Sequence, residues 1–258
     1  MKTKVAFFIL FLSLCVSAQT HRFTYDVEFR KDSTSQVTTK QNYHLDITGD
    51  DILYYSRDYF VADSLIKNNI PFPADLKLST STILKHKKGS STFNEYDLLE
   101  STVLDLQTKD VQIWTLTNEK KQLDNLTLQK ATTTWGGRNW IAWFAKDIPF
   151  QDGPYKFKGL PGLIVKIEDE TKSHLFELKG IKNLNYDFIY PDNSFDNKIK
   201  LSNKKFIKTF KENRKYPAIA MKLRYPKAED AEMIKEIEKY FLEEIKKDNN
   251  IIEIDLIK

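Results

Sequence analysis

The residues of this sequence with the clearest chemical potential are its tryptophans, which surround a single arginine. All four lie around the segment Gly136-Gly137-Arg138, and they are Trp114, Trp135, Trp140 and Trp143. A guanidinium among indole rings can bind a carboxylate, a phosphate or the face of a sugar ring. The structural alternative is that the aromatic side chains build a core while Arg138 caps a strand or pairs with Asp147. Arg138, Trp140 and Trp143 are therefore candidate ligand-binding residues, with a structural role as the alternative.

A segment rich in proline and glycine follows, with the sequence Gly159-Leu160-Pro161-Gly162-Leu163-Ile164. Pro161 presets the first angle of a type II turn, and Gly162 supplies the positive φ that the next position requires. The apolar residues on either side would anchor this turn to the core. A structural turn is the favoured interpretation, and the ligand-contacting alternative would involve Gly159, Leu160, Pro161 and Gly162.

Histidine chemistry has little support in the sequence. The histidines stand far apart and show no metal-ligand spacing, such as two His four residues apart on a helix; they are His21, His44, His86 and His174. Neither a Gly-x-Ser-x-Gly nucleophile elbow nor a phosphate-binding loop is present. We expect isolated, exposed histidines and neither a metal nor an organic cofactor. A hydrolase site would need folding to gather scattered His, Asp and Glu residues.

The N-terminal segment has the order of a cleavable secretory signal peptide. Lys2 and Lys4 precede the apolar run Val5–Val16, and Val16-Ser17-Ala18 is a small-residue cleavage site. The run is shorter than the roughly 20 apolar residues that a membrane-spanning helix needs. We predict a signal peptide at residues 1–18 and no membrane span.

The mature chain, at residues 19–258, is predicted to be a single monomeric domain in the periplasm or outside the cell. Cleavage would remove Cys15, the only cysteine, and with it any thiolate nucleophile or metal ligand. Lipid attachment at Cys15 is the alternative, although Leu14 is larger than such processing requires. Subtracting Lys2 and Lys4 from the 40 basic residues leaves 38, against 36 acidic residues. This balance argues against nucleic acid as a partner.

Alternation of apolar and polar residues predicts an antiparallel meander of half-buried strands. The first strand is Arg22–Lys31, and further strand-like runs are Tyr43–Ile47, Ile52–Tyr55, Thr92–Leu99, Ser101–Gln107 and Val111–Thr117. The run Trp140–Ala145 has no polar face, which is typical of a central strand buried on both sides. A final hairpin is predicted from Leu163–Asp169 and Ser173–Lys182, around Glu170–Lys172.

Helical periodicity is strongest in the C-terminal part of the chain. A short helix is predicted at Asp58–Lys67, before an extended connection at Asn68–Leu76, and another helix after Ser202 as N-cap. A strand is predicted at Pro217–Arg224. The longest helix has an apolar stripe of Ile234, Ile237, Phe241 and Ile245. We predict a β-rich α+β fold in which C-terminal helices pack on a curved antiparallel sheet, by analogy with the half-barrel of periplasmic lipoprotein carriers.

The segment from Trp140 to Ile164 ends in Gly-Leu-Pro-Gly-Leu-Ile and resembles the signature of the GLPGLI family of exported Bacteroidetes proteins. The resemblance extends to Gln129-Lys130-Ala131, to Gly137-Arg138 and to the ending at Asn250–Ile254. This sequence has Leu128 where family members often have Cys, and Ile251 where they often have Pro. The resemblance implies an envelope location and an association with outer-membrane transporters, but no established function.

Two functions are consistent with these observations. The first is a non-enzymatic exported binding or accessory protein for an apolar or envelope-derived ligand, or for an outer-membrane transporter. Its binding surface would be the concave sheet face near Trp140, Trp143 and the proline–glycine segment. The second is a secreted hydrolase resembling a peptidase. A ligand-sized pocket would favour the first, and a histidine hydrogen-bonded to a carboxylate and a hydroxyl within a cleft would favour the second.

Overall fold

The computed structural model describes residues 19–71, 73, 83–99, 102–184 and 198–258. The predicted signal peptide lies outside the described residues. Ser101 and part of the predicted connection Asn68–Leu76 also lie outside them.

The described residues form twelve β-strands and four α-helices. The strands are β1 (Thr20–Phe29), β2 (Thr39–Thr48), β3 (Asp51–Ser56), β4 (Ile83–Lys87), β5 (Thr92–Leu99), β6 (Thr102–Lys109), β7 (Thr115–Leu123), β8 (Leu126–Trp135), β9 (Arg138–Ala145), β10 (Leu163–Asp169), β11 (His174–Leu184) and β12 (Ile199–Ser202). The helices are α1 (Arg57–Lys67), α2 (Asn203–Lys215), α3 (Ile219–Arg224) and α4 (Ala231–Lys247), with short 3-10 helices at Ala228–Asp230 and Ile254–Leu256.

All twelve strands belong to one sheet, in the order β12-β6-β5-β4-β3-β2-β1-β11-β10-β9-β8-β7. The neighbours are antiparallel except for β12 and β6, which are parallel. The sheet curves so that the segment after β6 reaches β8: Thr133 Oγ1 donates a hydrogen bond to the Ile113 carbonyl at 2.8 Å. The prediction of a β-rich α+β fold with a curved antiparallel sheet is confirmed.

The concave face of this sheet carries the main core. Phe23, Tyr25 and Val27 point to it from alternate positions of β1, because successive side chains of a strand face opposite sides. On β9, the concave-side residue Trp140 and the convex-side residue Ala145 both have no exposed surface. The prediction that this strand is buried on both faces is confirmed.

The loop between β9 and β10, residues 146–162, folds into the concavity and fills one end of it. Phe157 packs against Trp140 and Trp135, with ring centroids 4.6 Å and 5.1 Å apart. The Ile164 amide donates to the Asp152 carbonyl at 3.1 Å, and Tyr25 Oη donates to the Ile164 carbonyl at 2.7 Å. We call this segment the interior loop.

The turn within the interior loop differs from the predicted type II turn. The Gly162 amide donates to the Leu160 carbonyl at 2.8 Å, which closes a γ-turn around Pro161. Gly162 has φ +152°, and a Cβ placed on it would lie 2.1 Å from the carbonyl oxygen of Ala145. Glycine is therefore required here by the close approach of the β9 backbone rather than by a type II turn.

The C-terminal helices follow the prediction with one exception. Helix α2 begins after Ser202, whose Oγ accepts a hydrogen bond from the Lys205 amide at 3.4 Å, and α4 contains the predicted apolar stripe. The strand predicted at Pro217–Arg224 is wrong, because Ile219–Arg224 forms α3. Ala, Met, Leu, Lys and Arg are good helix formers, and this segment packs on α4, where Lys222 Nζ lies 2.8 Å from Glu238 Oε2.

The strand boundaries differ from the prediction in the first half of the chain. The strand predicted at Val111–Thr117 begins only at Thr115, and strands β4, β8 and β12 were not predicted.

On the convex face, α1 covers a buried ion pair in which Arg22 Nε donates to Asp46 Oδ1 at 2.8 Å. Tyr55 Oη donates to Asp46 Oδ2 at 2.7 Å.

Replacing Gly162 by alanine should destabilise the fold by about 3 kcal/mol or more, because the new methyl group would displace the β9 backbone. Urea unfolding of the variant measures this cost. Gly180→Ala is the matched control, since a Cβ at Gly180 meets nothing within 4 Å, and it should change stability by less than about 1 kcal/mol. Equal stability of the two variants would contradict the assigned role of Gly162.

Candidate functional site

A cavity of about 570 Å³ lies between the concave sheet face and the C-terminal elements. Its floor is formed by side chains of six strands, and the apolar and tyrosine side chains among them are Val27, Phe29, Tyr43, Tyr54 and Phe176. Its roof is formed by α2 and by the segment Asn250–Leu256, which we call the tail. Tyr43 and Tyr54 stack in the floor, with ring centroids 4.9 Å apart and planes inclined by 6°.

Helix α2 explains why a cavity exists here instead of a filled core. Phe206, Ile207 and Phe210 lie on its inner side and line the cavity, yet no residue of α2 is fully buried. The helix contacts the sheet at β6 and β12, near one edge, and spans the concavity from there. Its apolar side therefore faces the cavity, and the core residues of the sheet lie beyond it.

A cluster of charged side chains forms the polar end of the cavity. Lys156 Nζ lies 2.6 Å from Glu253 Oε1, 2.8 Å from Glu95 Oε2 and 3.7 Å from Asp110 Oδ2. Burial alone would lower the pKa of Lys156, but the carboxylates of Glu95, Glu253 and Asp110 raise it above its ordinary value. Tyr155 Oη donates to Glu253 Oε1 at 2.6 Å. Lys156 thus stays charged and holds the tail to the interior loop.

Burial acts in the opposite direction on one of these carboxyl groups. It raises the pKa of Asp110 above its ordinary value; Lys156 opposes this effect, and the negative charge of Glu253 adds to it. Asp110 Oδ1 accepts a hydrogen bond from Trp135 Nε1 at 3.1 Å. Asp110 is therefore oriented by an indole, and its ionised form gains from any additional cation nearby.

Arg138 holds the tail in place. Its Nη2 donates to Asn250 Oδ1 at 2.6 Å and to the Ile251 carbonyl at 2.7 Å, and its Nε donates to the Ile252 carbonyl at 3.1 Å. Its Nη1 donates to Asp169 Oδ2 at 3.1 Å, so the partner is Asp169 and not the expected Asp147. We call this set of contacts the tail clamp.

The two glycines before Arg138 belong to the same clamp. A Cβ on Gly137 would lie 3.0 Å from Ile254 Cγ2 and 3.1 Å from the Asp255 nitrogen. Asn250 Nδ2 also donates to the Arg30 carbonyl at 2.8 Å, which ties the tail to the residue after β1. The sequence segments around Gly137-Arg138 and Asn250 are therefore one contact in space.

None of the seven predicted site residues lines the cavity. Arg138 lies in the tail clamp, and Trp140 is buried beneath the interior loop. Trp143 faces the convex side, where Lys121 Nζ lies 4.1 Å from its ring centroid. Leu160 is buried in the core, and the rest of Gly159–Gly162 belongs to the same turn. Their contact with a ligand stays a prediction.

The residues that line the cavity were not predicted as site residues, although a helix after Ser202 and the ending at Asn250–Ile254 were both singled out. The apolar spacing of Phe206, Ile207 and Phe210 indicated a helix but not what that helix covers. Lys156 and Glu95 are ordinary charged residues in the sequence, and only folding brings them to 2.8 Å.

The expectation of exposed histidines is wrong for three of the four. His44, His86 and His174 have 7%, 8% and 4% of their surface exposed. His44 packs on the convex side against Phe60 of α1, whereas His86 lies on the concave side, 3.4 Å from Asp152 Oδ1. Burial lowers the pKa of each to about 4, and nearby cations contribute: Arg22 for His44, Lys158 for His86 and Arg138 for His174. These histidines are buried in neutral form because α1, the interior loop and the tail cover them.

His174 lies next to a serine and a carboxylate, but in the wrong order for a catalytic triad. Ser173 Oγ is 3.3 Å from His174 Nδ1 and donates to Asp169 Oδ2 at 2.9 Å. In a triad the carboxylate would bond to the histidine ring, which would leave the serine proton for the histidine. Here Asp169 orients Ser173 and accepts from Arg138, so the group is part of the tail clamp. His44, His86 and His174 also lie in three separate environments.

Two further findings concern what the described part of the chain can hold. No described group of three or more His, Cys, Asp or Glu side chains is arranged to bind a metal ion. Among the described helices, none combines the length and apolar character needed to cross a membrane.

Stability should fall as the pH is lowered from about 6.5 to about 4. Each buried histidine has a folded pKa below its unfolded value, so its contribution is complete above pH 6.5 and is lost as the pH falls through about 4. Asp152 acts in the opposite sense, because burial raises its pKa to about 6. Near pH 5, unfolding takes up about three protons at the histidines and releases about one from Asp152, which is a net uptake of about two. The free energy of unfolding therefore changes by roughly 2–3 kcal/mol per pH unit near pH 5.

Urea unfolding at a series of pH values measures this slope. His44→Asn should reduce the proton uptake by about one, because it removes one of the buried imidazoles. Stability that stays constant between pH 6.5 and pH 4.5 would show that these histidines are not buried as described.

Replacing Arg138 by methionine should cost about 3–5 kcal/mol, because Asp169 would remain buried without its cationic partner. The amides of residues 250–256 should also exchange hydrogen faster, since the tail loses its anchor. Arg224→Met on exposed α3 is the control and should change stability by less than about 0.5 kcal/mol. A protected tail in Arg138→Met would contradict the clamp.

Comparison with known proteins gives a short family match and a likeness of fold. Residues 137–166 match the model of a family described as a protein of unknown function, Porph_ging. No curated protein matches the chain. A structure of PNGF-II in space group P21 is similar with a TM-score of 0.53 and 15% identity, covering 76% of this chain and 34% of that one.

A second crystal form of PNGF-II, in space group C2, has a TM-score of 0.50 and 15% identity, covering 72% of this chain and 31% of that one. This chain therefore spans about a third of the length of the PNGF-II structures. At this identity the likeness concerns the fold alone. The chain is thus similar in fold to part of PNGF-II and, from Gly137 through the interior loop into β10, to a family of unknown function.

Proposed function

We propose that this chain is a non-enzymatic exported protein that binds an apolar, envelope-derived ligand in the cavity beneath α2 and the tail. The observation that carries this proposal is the cavity itself, with a volume of about 570 Å³ on the concave sheet face. Sites for small molecules commonly have volumes of about 300–1,000 Å³ and mostly apolar walls with a few polar groups. The cavity has this size and this division between an apolar body and a polar end.

The walls of the cavity support an apolar ligand. Five apolar or aromatic side chains of the sheet face three of α2 across it, and the tail adds Ile251, Ile252 and Leu256. The half-buried side of α2 would bury further apolar surface against a bound ligand, at about 25 cal/mol per Å². Filling the cavity would thus favour binding without a change in the core of the sheet.

The cellular setting of the proposal comes from the sequence. The signal peptide predicted at residues 1–18 would export the mature chain to the periplasm or the exterior, and the GLPGLI resemblance suggests a Bacteroidetes envelope. Within that setting, the proposed partner is an outer-membrane transporter, to which the ligand is passed. The short match to the Porph_ging family is compatible with this setting, because it covers the segment that carries the resemblance.

The surroundings of His174 do not favour the hydrolase alternative. It needs a histidine that can take a proton from a hydroxyl nucleophile or from water in a cleft. His174 lines the cavity, but Ser173 and Asp169 beside it are engaged in the tail clamp.

Filling the cavity should weaken binding of an apolar fluorescent probe such as N-phenyl-1-naphthylamine. Ile207→Trp places an indole in the cavity from a helix with no buried residue, so the fold should tolerate it. Probe affinity should fall at least about tenfold. Leu223→Trp adds the same side chain to α3 at a position that is 79% exposed, and should leave binding unchanged.

Wild-type affinity in Ile207→Trp would place the probe elsewhere and would refute the proposed site. Mass spectrometry of the native protein after gentle extraction from the envelope identifies the natural ligand. A co-purifying apolar molecule should be present with the wild-type chain and depleted in Ile207→Trp.

A further inference from the structure

Two carboxylates at the polar end of the cavity each leave one oxygen available. Asp110 uses Oδ1 to accept from Trp135, and its Oδ2 lies 3.7 Å from Lys156 Nζ, beyond hydrogen-bond distance. Glu253 uses Oε1 to accept from both Tyr155 and Lys156, and its Oε2 makes no hydrogen bond with any described residue. Both side chains line the cavity.

A buried hydroxyl group at the same end also lacks a partner. Thr108 lines the cavity with 7% of its surface exposed, and its Oγ1 is buried without a hydrogen bond to any described residue. A buried polar atom left unpaired costs about 1–3 kcal/mol. Such a group is rare in folded proteins and needs a specific reason.

The charge at this end favours a cation. Three carboxylates, Glu95, Asp110 and Glu253, lie within 4 Å of the single ammonium of Lys156. The Glu95 carboxylate lies 2.8 Å from that ammonium and already balances its charge. A ligand carboxylate would add a further negative charge, whereas a ligand ammonium would reduce the excess.

We infer that the polar end of the cavity binds a primary ammonium group, so that the ligand is an amphipathic amine with an apolar body. An ammonium has three N–H donors, and Asp110 Oδ2, Glu253 Oε2 and Thr108 Oγ1 provide three acceptors. The apolar body would lie against Tyr43, Tyr54 and α2. This inference rests on the proposed function, because it specifies the ligand of the same cavity.

Three probes with the same twelve-carbon chain and different head groups test it: dodecylamine, dodecanol and dodecanoate. Binding is measured at neutral pH by calorimetry, at concentrations where the probes are monomeric. Dodecylamine should bind about tenfold or more tightly than either of the others, since its hydrogen bonds go to charged acceptors. Equal binding of all three would overturn the ammonium site and leave the apolar site intact. Absence of binding by all three would overturn both.

Single substitutions separate the head-group site from the apolar body. Asp110→Asn should weaken dodecylamine binding about tenfold and leave dodecanol binding unchanged. Glu212→Gln on the outer side of α2, where the carboxylate is 61% exposed, is the charge-matched control and should change neither. An equal loss for all three probes in Asp110→Asn would mean that the residue only supports the fold, and would overturn the inference.

Thr108→Val provides a second readout that a structural role would not produce. It should weaken dodecylamine several-fold while the melting temperature stays equal or rises, because it removes an unpaired buried hydroxyl. A lower melting temperature with unchanged amine affinity would contradict the inference.

The same amine chemistry can come from a free alkylamine or from a lipid head group. Lysophosphatidylethanolamine carries a primary ammonium, and lysophosphatidylcholine carries a quaternary one without N–H donors. Preference for the first over the second identifies an aminolipid as a source. Binding of dodecylamine without either lysolipid identifies the free amine, and a preference for lysophosphatidylcholine would overturn the hydrogen-bonded ammonium.

Discussion

The structure depends on one buried guanidinium, that of Arg138. A buried charge is costly unless it is paired and hydrogen-bonded, and Arg138 meets this demand with Asp169 and with three consecutive residues of the tail. The turn after β10 supplies hydrogen bonds to the carboxylate partner, because the Ser173 and His174 amides donate to Asp169 Oδ1 at 2.8 Å and 2.7 Å. Burial would raise the pKa of Asp169, but hydrogen bonds from Thr171, His174 and Ser173 bring it below its ordinary value. The aspartate therefore stays ionised beside the arginine.

The cavity is a consequence of this clamp. Because the tail is held by Arg138 and Lys156, it forms a fixed side of the roof. Helix α2 forms the other side with few contacts to the sheet and none of its residues fully buried. The tail side of the roof thus carries the charges, whereas the α2 side is apolar and less tightly packed.

Burial of polar groups recurs throughout the concave side, with a different compensation in each place. Lys156 is compensated by carboxylates, Arg138 by carbonyl groups and Asp169, and His86 and His174 by loss of their charge. Thr108 differs from these groups, since its buried hydroxyl has no hydrogen-bond partner among the described residues. These groups couple stability to pH, because a change in the charge of any one of them alters the burial cost of its neighbours.

The sequence by itself determined the local structure: the alternation of β1, the two-sided burial of β9, the Ser202 cap and the stripe of α4. These follow from residues that are neighbours along the chain, as side-chain period and capping do. Export and the GLPGLI resemblance are also properties of the sequence alone and stay predictions. Arg138 and the ending near Asn250 were both singled out, but their contact spans 112 residues and only the tertiary fold makes it. The burial of the histidines, the γ-turn against Ala145 and the cavity beneath α2 were likewise decided by the fold, because each depends on what a distant segment places against the residue.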